Sequence, residues 1–267
     1  MNKPLNRSAR RVIITRPVAQ ASVWQAQLAA TGIETVIAPV MCIEPITLPA
    51  EMQALKNVIL DFDHFNVAIF VSQNAVRYGV QWLDQYWPQL PQDIQYYAVG
   101  ESTENLLAAE LPVECVRSQQ AADCSGHNSM TSEALLQRLT PCVEPGVKVL
   151  IFRGCGGRSY LGDQLAELGC KVAYAELYHR RLPRGAAEKL SLLSLRQSDI
   201  LCVHSGESLQ NLVGCLSVLA LPDWQKMTLL VPSARVAREA KKLDFKKVHQ
   251  AENASDRAMA QALETLL

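Results

Sequence analysis

Short β-branched apolar runs alternate along the chain with helix-length amphipathic stretches, the pattern of a parallel α/β protein. The runs predict strands at 11–15, 35–37, 67–71, 96–99, 147–152, 172–177, 200–203 and 228–231. Each is followed by a polar or glycine-containing turn and usually by a helix. The stretch 20–30 sets Trp24 and Leu28 on one stripe and Val23, Gln27 and Ala30 on another, ending at Gly32, which suits a left-handed helix stop. The stretch 162–168 repeats that design and ends at Gly169.

The pattern also matches itself. Val-Ile-Ile-Thr-Arg at 12–16 resembles Val-Leu-Ile-Phe-Arg at 149–153, and each arginine stands 16 residues before its glycine. Ile69-Phe70-Val71-Ser72 resembles Cys202-Val203-His204-Ser205 at an offset of 133. Ala98-Val99-Gly100 with Thr103 resembles Leu230-Val231-Pro232 with Ser233, the valines being 132 apart. Three matches in one order predict two similar α/β halves.

In open parallel sheets, ligands bind beyond the carboxyl ends of the strands. The polar residues there are Thr15, Arg16, Ser72, Asn74, Gly100, Thr103, Arg153, Ser205, Gly206 and Ser233. Helices starting at such points offer unpaired N–H groups and a positive dipole end, and two facing sets would suit a ligand with several carboxylates or phosphates. As plain chain architecture, Ser72, Ser205 and Ser233 are helix N-caps.

Composition narrows the partners. Lys+Arg 26 against Asp+Glu 26 leaves no net charge, which argues against a nucleic-acid partner held by counterion release. The apolar runs are strand-length, far below the ~18 residues of a membrane span. The first eleven residues carry Lys3, Arg7, Arg10 and Arg11 but no apolar segment, so no secretory leader is expected. Eight cysteines (42, 115, 124, 142, 155, 170, 202 and 215) show no Cys-x-x-Cys pair. His64, His127, His179, His204 and His249 add no metal-ligand spacing, so reduced thiols and a cytoplasmic location are expected.

Arg153-Gly154-Cys155-Gly156-Gly157-Arg158 follows a strand and begins like Gly-x-Gly-x-x-Gly, but its sixth position is Ser159. Glu176 falls roughly where a ribose-binding acid would stand. Three readings stay open: a nicotinamide site, a tight glycine turn, and an anion nest flanked by Arg153 and Arg158. Cys155 beside arginines is a candidate low-pKa nucleophile, although no histidine lies near it in sequence. Tyr178, followed by His179, Arg180 and Arg181, is a packing residue or, in a cleft with cations lowering its pKa, a proton donor.

Together these segments resemble the uroporphyrinogen-III synthase family. The resemblance rests on Ile14-Thr15-Arg16-Pro17 with Gly32, Val71 to Val76, Ala98 to Thr103, Arg153 to Arg158, Glu176 to Arg180, Val231 to Arg235 and Ala254-Ser255-Asp256, covering about residues 12–262. It implies two Rossmann-like or flavodoxin-like parallel-sheet α/β domains joined by a two-strand linker. Residues 1–40 and 182–267 would form one domain and 41–181 the inserted other, with linkers near 39–45 and 176–183.

The resemblance further implies a cofactor-free, metal-free, monomeric hydro-lyase acting on hydroxymethylbilane, a linear tetrapyrrole with many carboxylates. The reaction loses water from the ring A hydroxymethyl group, closes the macrocycle and inverts ring D through a spiro intermediate. Hydroxymethylbilane synthase is then an expected transient donor of substrate. Tyr178 matches the family tyrosine that assists loss of the hydroxyl. Thr103, Ser72, Ser205 and Ser233 match cleft hydroxyls, and Arg16 and Arg153 would pair with carboxylates. Cys155 and Ser159 depart from positions acidic in many relatives, and Asp244 replaces a common helix-ending glycine. Two other readings remain: a nicotinamide-dependent oxidoreductase using the 154–157 loop, and a two-domain small-molecule sensor or binding module. A neutral chain binding a polyanion through local groups should show modest salt dependence.

Overall fold

The apolar runs become strands and the amphipathic stretches become helices in near-regular alternation. The computed structural model describes residues 10–111, 132–141, 143–219 and 221–267. In chain order the elements are β1 (Val12–Ile14), α1 (Val18–Ala29), β2 (Thr35–Ile37), β3 (Cys42–Pro45), α2 (Pro49–Leu60), β4 (Val67–Phe70) and α3 (Gln73–Tyr86). Next come β5 (Gln95–Ala98), α4 (Glu101–Glu110), α5 (Ser132–Leu139), β6 (Lys148–Gly154), α6 (Tyr160–Glu167), β7 (Lys171–Arg181) and α7 (Ala186–Leu192). The chain closes with β8 (Ile200–Cys202), α8 (Gly206–Val218), β9 (Thr228–Val231), α9 (Ala234–Lys242), β10 (Lys247–Gln250) and α10 (Asp256–Glu264). Two compact units result, Met1–Ile43 with Arg181–Leu267, and Glu44–Arg180.

The first unit holds a parallel sheet in the order β10-β9-β8-β1-β2. Counted within the unit this is the flavodoxin-like order 2-1-3-4-5, doubly wound. Period-two alternation serves both faces. Ile13, Leu201 and Leu229 pack with Leu190, Leu212 and Val236 from the α7–α9 layer. Val12, Ile14, Ile200 and Leu230 pack with Trp24, Leu28, Met259 and Leu263 from α1 and α10. Strands buried on both faces read as continuous apolar runs, which is why they are legible in sequence.

The second unit holds the order β3-β7-β6-β4-β5. One face buries Val67, Ile69, Val149 and Ile151 against Leu135, Leu139, Leu161 and Leu165. On the other, Phe70 stacks on Phe152 at 4.3 Å, and Gly79 of α3 lies so close that a Cβ there would meet both rings at 2.9 Å.

The internal repeat is a repeat of sheet order: β9-β8-β1-β2 in one unit corresponds to β5-β4-β6-β7 in the other. Register agrees as well. Ile14 pairs with Cys202 and Ile37, and its counterpart Ile151 pairs with Ile69 and Tyr174. One sequence match needs a one-residue correction. Leu230 opposite Cys202 corresponds to Tyr97 opposite Ile69, an offset of 133, so Gly100 and not Thr103 is the counterpart of Ser233. A one-residue slip would have put every side chain on the wrong face. Two further differences are physical. The expected strand 172–177 runs without a break into the expected linker 176–183, as one strand, β7, that ends at Arg181. Strand β10 carries a single apolar residue because it lies at the sheet edge, where no second face needs burial.

Candidate active site

Strand order reverses between β1 and β8 in the first unit and between β6 and β4 in the second, and the chains beyond those carboxyl ends carry the polar residues singled out above. In the second unit the structure brings Ser72, Arg153 and Tyr178 together. β4 ends at Phe70, and Ser72 caps α3 in extended geometry, its Oγ accepting the Ala75 N–H at 3.1 Å. The same Oγ lies 2.9 Å from Tyr178 Oη. Tyr178 is only 3% exposed, with the Tyr78 ring 5.7 Å away and tilted against it. Burial raises the Tyr178 pKa above its ordinary value, and hydrogen bonds from Ser72 and Arg180 and the charges of Arg180 and Arg153 only partly offset this. The sequence expectation that cations lower it is therefore corrected: desolvation wins and the phenol stays protonated at neutral pH. Asn74 sits half-buried in the first turn of α3. Gly100, at φ 92, caps α4, whose first turn carries the buried Thr103.

The glycine loop has a different logic from a dinucleotide turn. A Cβ on Gly154 would stand 2.5 Å from Tyr178 Cε2, and one on Gly157 would stand 2.6 Å from Arg153 Nη2. A Cβ on Gly162 would meet Tyr174 Oη at 1.9 Å. Each of the three glycines makes room for one functional side chain. Gly156, at φ 64, turns the chain, and its N–H is taken by Glu176 Oε1 at 3.3 Å. The acid that would hold a ribose thus occupies the amide that would hold a phosphate.

Cys155 is not an activated nucleophile. Burial, Glu176 and Glu51 push its thiol pKa up. The structure does place a histidine nearby, since His179 Nε2 is 3.9 Å from Cys155 Sγ, but that nitrogen is held by Glu51 at 3.1 and 3.2 Å. Sequence separation hides both contacts of His179, which reach Cys155 beyond β6 and Glu51 in α2. Tyr78 and Tyr174 carry no sequence signal, and Arg180 is named there only as a cation following Tyr178. Arg180 shares a face with Tyr178, since residues two apart on a strand point the same way. Cys115, Cys124, Cys142 and His127 lie outside the described residues.

In the first unit the predicted residues are mostly engaged structurally. Thr15 is fully buried and its Oγ1 donates to the Cys202 carbonyl at 2.6 Å, tying β1 to β8. Arg16 pairs with Asp256 and reaches Gln20 Oε1 at 3.4 Å. His204 follows β8, edge-on to Trp24 at 5.0 Å, with both ring nitrogens shielded and unpartnered. Burial and Arg16 push its pKa down to about 3, so it is neutral. Ser205 caps α8 through the Ser208 N–H at 3.0 Å, Ser233 caps α9 through the Val236 N–H at 3.4 Å, and Gly206 is buried beside Glu239. Among the described residues no group of three or more His, Cys, Asp or Glu is placed to hold a metal ion. None of the described helices is long and apolar enough to cross a membrane.

Comparison with known proteins gives a consistent result. A family model described as uroporphyrinogen-III synthase HemD matches residues 22–261. The chain is 31% identical over 204 residues to the uroporphyrinogen-III synthase of Escherichia coli K12, covering 73% of this chain and 76% of that one. It is 28% identical over 258 residues to that of Salmonella typhimurium LT2, covering 95% and 99%. Among solved structures it is similar to uroporphyrinogen-III synthetase from Helicobacter pylori 26695, with a TM-score of 0.63 at 17% identity and coverage of 97% and 99%. At that identity the solved structure speaks to the fold alone.

Proposed function

This chain belongs to the uroporphyrinogen-III synthase family and has that activity in tetrapyrrole synthesis, and we propose that it works as a cyclising hydro-lyase on hydroxymethylbilane with Tyr178 as proton donor. The observation that carries the assignment of Tyr178 is its 2.9 Å contact with the N-cap hydroxyl of α3. Ser72 Oγ accepts the Ala75 N–H, and either hydroxyl can donate across the contact with Tyr178; in this reading Ser72 donates to Oη, which leaves the phenol proton for substrate. As that proton passes to the leaving hydroxyl, negative charge develops on Oη. Ser72, the α3 N-terminus, Arg180 and Arg153 are already oriented to stabilise it.

Expulsion of water leaves an electrophilic carbon on ring A. Attack by the substituted carbon of ring D gives the spiro intermediate, whose opening and reclosure invert that ring. The closing ring gives up one proton, which restores Tyr178, so the net change is loss of one water. Buried geometry matters because the same substrate closes without inversion when unguided, and positioning is what selects the product. Ser72, Asn74, Gly100, Thr103 and Arg153 belong to this reading as substrate contacts from the second unit, and Arg16, Ser205, Gly206 and Ser233 from the first. Thr15 acts through the backbone it fixes.

A monomer suffices in this reading, since every named group lies on one chain. The cysteine spacing favours a cytoplasmic enzyme, and the family resemblance makes hydroxymethylbilane synthase its expected donor of substrate. The test is to give the protein fresh hydroxymethylbilane, oxidise the product and separate the uroporphyrin isomers. Type III isomer is expected, and type I alone, as in buffer, would overturn the proposal.

A further inference from the structure

The neutral charge of the chain is the sum of two unbalanced halves. The first unit carries 17 Lys and Arg against 10 Asp and Glu, and the second carries 9 against 16. Topology shows where the first unit keeps its surplus. Its five strands run parallel, so their amino ends and the carboxyl ends of the helices that feed them form one end of the unit. There Arg196 precedes β8, Lys226 precedes β9, Lys241 and Lys242 finish α9, and Lys246 and Lys247 lead into β10. All six are exposed.

Contacts join these turns into one surface. Arg11, just before β1, reaches the Leu193 carbonyl at 3.1 Å, which sets the end of α7 beside the start of the sheet. The Lys246 N–H donates to the Gln225 carbonyl at 2.8 Å and Trp224 meets Phe245 at 5.0 Å, so the turns before β9 and β10 lie side by side. The acids of this surface do not balance its charge. Asp223 pairs with Lys226 at 3.0 Å and Asp244 with Lys246 at 3.3 Å, while Asp199 is buried on Arg11. Glu34 stands before β2 at the far sheet edge, and Glu264 ends α10 on the opposite face. The side chains of Arg196, Lys241, Lys242 and Lys247 have no acidic partner among the described residues.

Two apolar side chains share the surface. Leu192, the last residue of α7, is 83% exposed, and Val218, the last of α8, is 77% exposed, more than any other large hydrophobic residue described. Helices α7, α8 and α9 are neighbours in that order, so this pair lies next to the lysines. Local chemistry accounts for part of the pattern, since lysines answer a helix carboxyl end and charges guard an edge strand. Neither reason puts an uncovered leucine and valine at the same end.

The combination selects among partners. Lysine supplies five of the six cations, and its ammonium is a point charge suited to phosphate, whereas protein interfaces are depleted in lysine. Aliphatic side chains gain nothing from a nucleic-acid backbone but can be buried at the headgroup boundary of a bilayer. We propose that the amino end of the first unit's sheet docks on an anionic lipid surface, with the lysines on headgroups and Leu192 and Val218 in the interface. The carboxyl ends of the same strands, beyond which Arg16, Ser205 and Ser233 lie, point the other way, so docking leaves them open.

The test is co-sedimentation of the full chain with vesicles of equal parts phosphatidylglycerol and phosphatidylcholine, and with phosphatidylcholine alone. It is run in about 0.1 M and about 1 M salt, between which the screening length falls from ~10 Å to ~3 Å. Binding is expected to the anionic vesicles and in the lower salt only. Replacing Lys241 and Lys242 together by glutamine should weaken it about 30-fold, the worth of two cations at a charged bilayer. Leu192→Asn should weaken it several-fold, and Lys171→Gln, exposed in the second unit, should leave it unchanged. All three should keep wild-type kcat, which separates lost binding from lost folding. Equal binding to neutral vesicles, no binding to either, or anionic binding untouched by the lysine and leucine changes would overturn the proposal. Tighter binding to duplex DNA or to poly-glutamate would also overturn it, giving the face to a nucleic acid or an acidic protein. So would self-association without vesicles that Leu192→Asn abolishes, which would make the occupant a second copy.

Discussion

Replacing Gly154 by alanine should disable the enzyme through Tyr178 without touching any polar group. The new Cβ would stand 2.5 Å from Tyr178 Cε2 and 2.9 Å from Cζ, where carbon atoms normally rest about 3.5–4.0 Å apart. The ring must therefore move by about 1 Å, and the contacting atoms belong to a ring held in the core, not to a flexible tip. A shift of that size takes Tyr178 Oη out of reach of Ser72 Oγ, now 2.9 Å away. Overpacking of this kind costs about 1–3 kcal/mol of stability, and a 1 Å misplacement of a reacting group costs about 100-fold in rate. The assay is kcat for type III isomer alongside urea denaturation, run on Gly154→Ala, Tyr178→Phe and the double variant. If Gly154 acts through Tyr178, the double variant is no slower than Tyr178→Phe alone. Wild-type kcat in Gly154→Ala, or losses that multiply in the double variant, would refute the reasoning.

Two further outcomes concern stability. His204 is held at about 3 when folded against ~6.5 when unfolded, so the unfolded chain binds the extra proton first. Stability should thus fall as pH drops below about 6.5, by up to about 1.4 kcal/mol per pH unit, with no contribution above it. Urea melts at pH 4–7 should show this slope reduced in His204→Leu, and an unchanged slope would assign it to other groups. Asp199 is fully buried, receiving Arg11 at 2.7 and 3.1 Å and the Arg196 N–H at 2.8 Å. Asp199→Asn leaves the arginine uncompensated and should cost about 3 kcal/mol in a urea melt. Because Asp199 precedes β8, at the end of the sheet away from the site, kcat at a permissive temperature should be unchanged.

The doubly wound architecture was legible because parallel strands buried on both faces leave unbroken apolar runs, and because register carries the repeat at offsets of 137 and 133. Edge strand β10 was not, since all its residues but Val248 are exposed. At the site, Ser72 and Tyr178 could be named from the sequence, but their contact joins residues 106 apart and depends on β4 and β7 flanking β6. The glycine loop misled for a related reason. Two of its glycines, Gly154 and Gly157, answer to Tyr178 and Arg153, side chains that a local motif does not show. The sign of the Tyr178 shift also needed the structure, because desolvation depends on what packs around the ring. Asp244 went the other way: read as a tolerable replacement for glycine, it stands at φ 68.

The account turns on Tyr178 giving a proton to the departing hydroxyl. Single-turnover conversion of hydroxymethylbilane by Tyr178→Phe, with product affinity measured on the same preparation, isolates that step. A loss of about 10²–10⁴-fold in the rate of type III formation, with product affinity within about threefold of wild type, is the predicted result. A rate within a few-fold of wild type would contradict it and hand the proton transfer to water or to the substrate's own carboxyl groups.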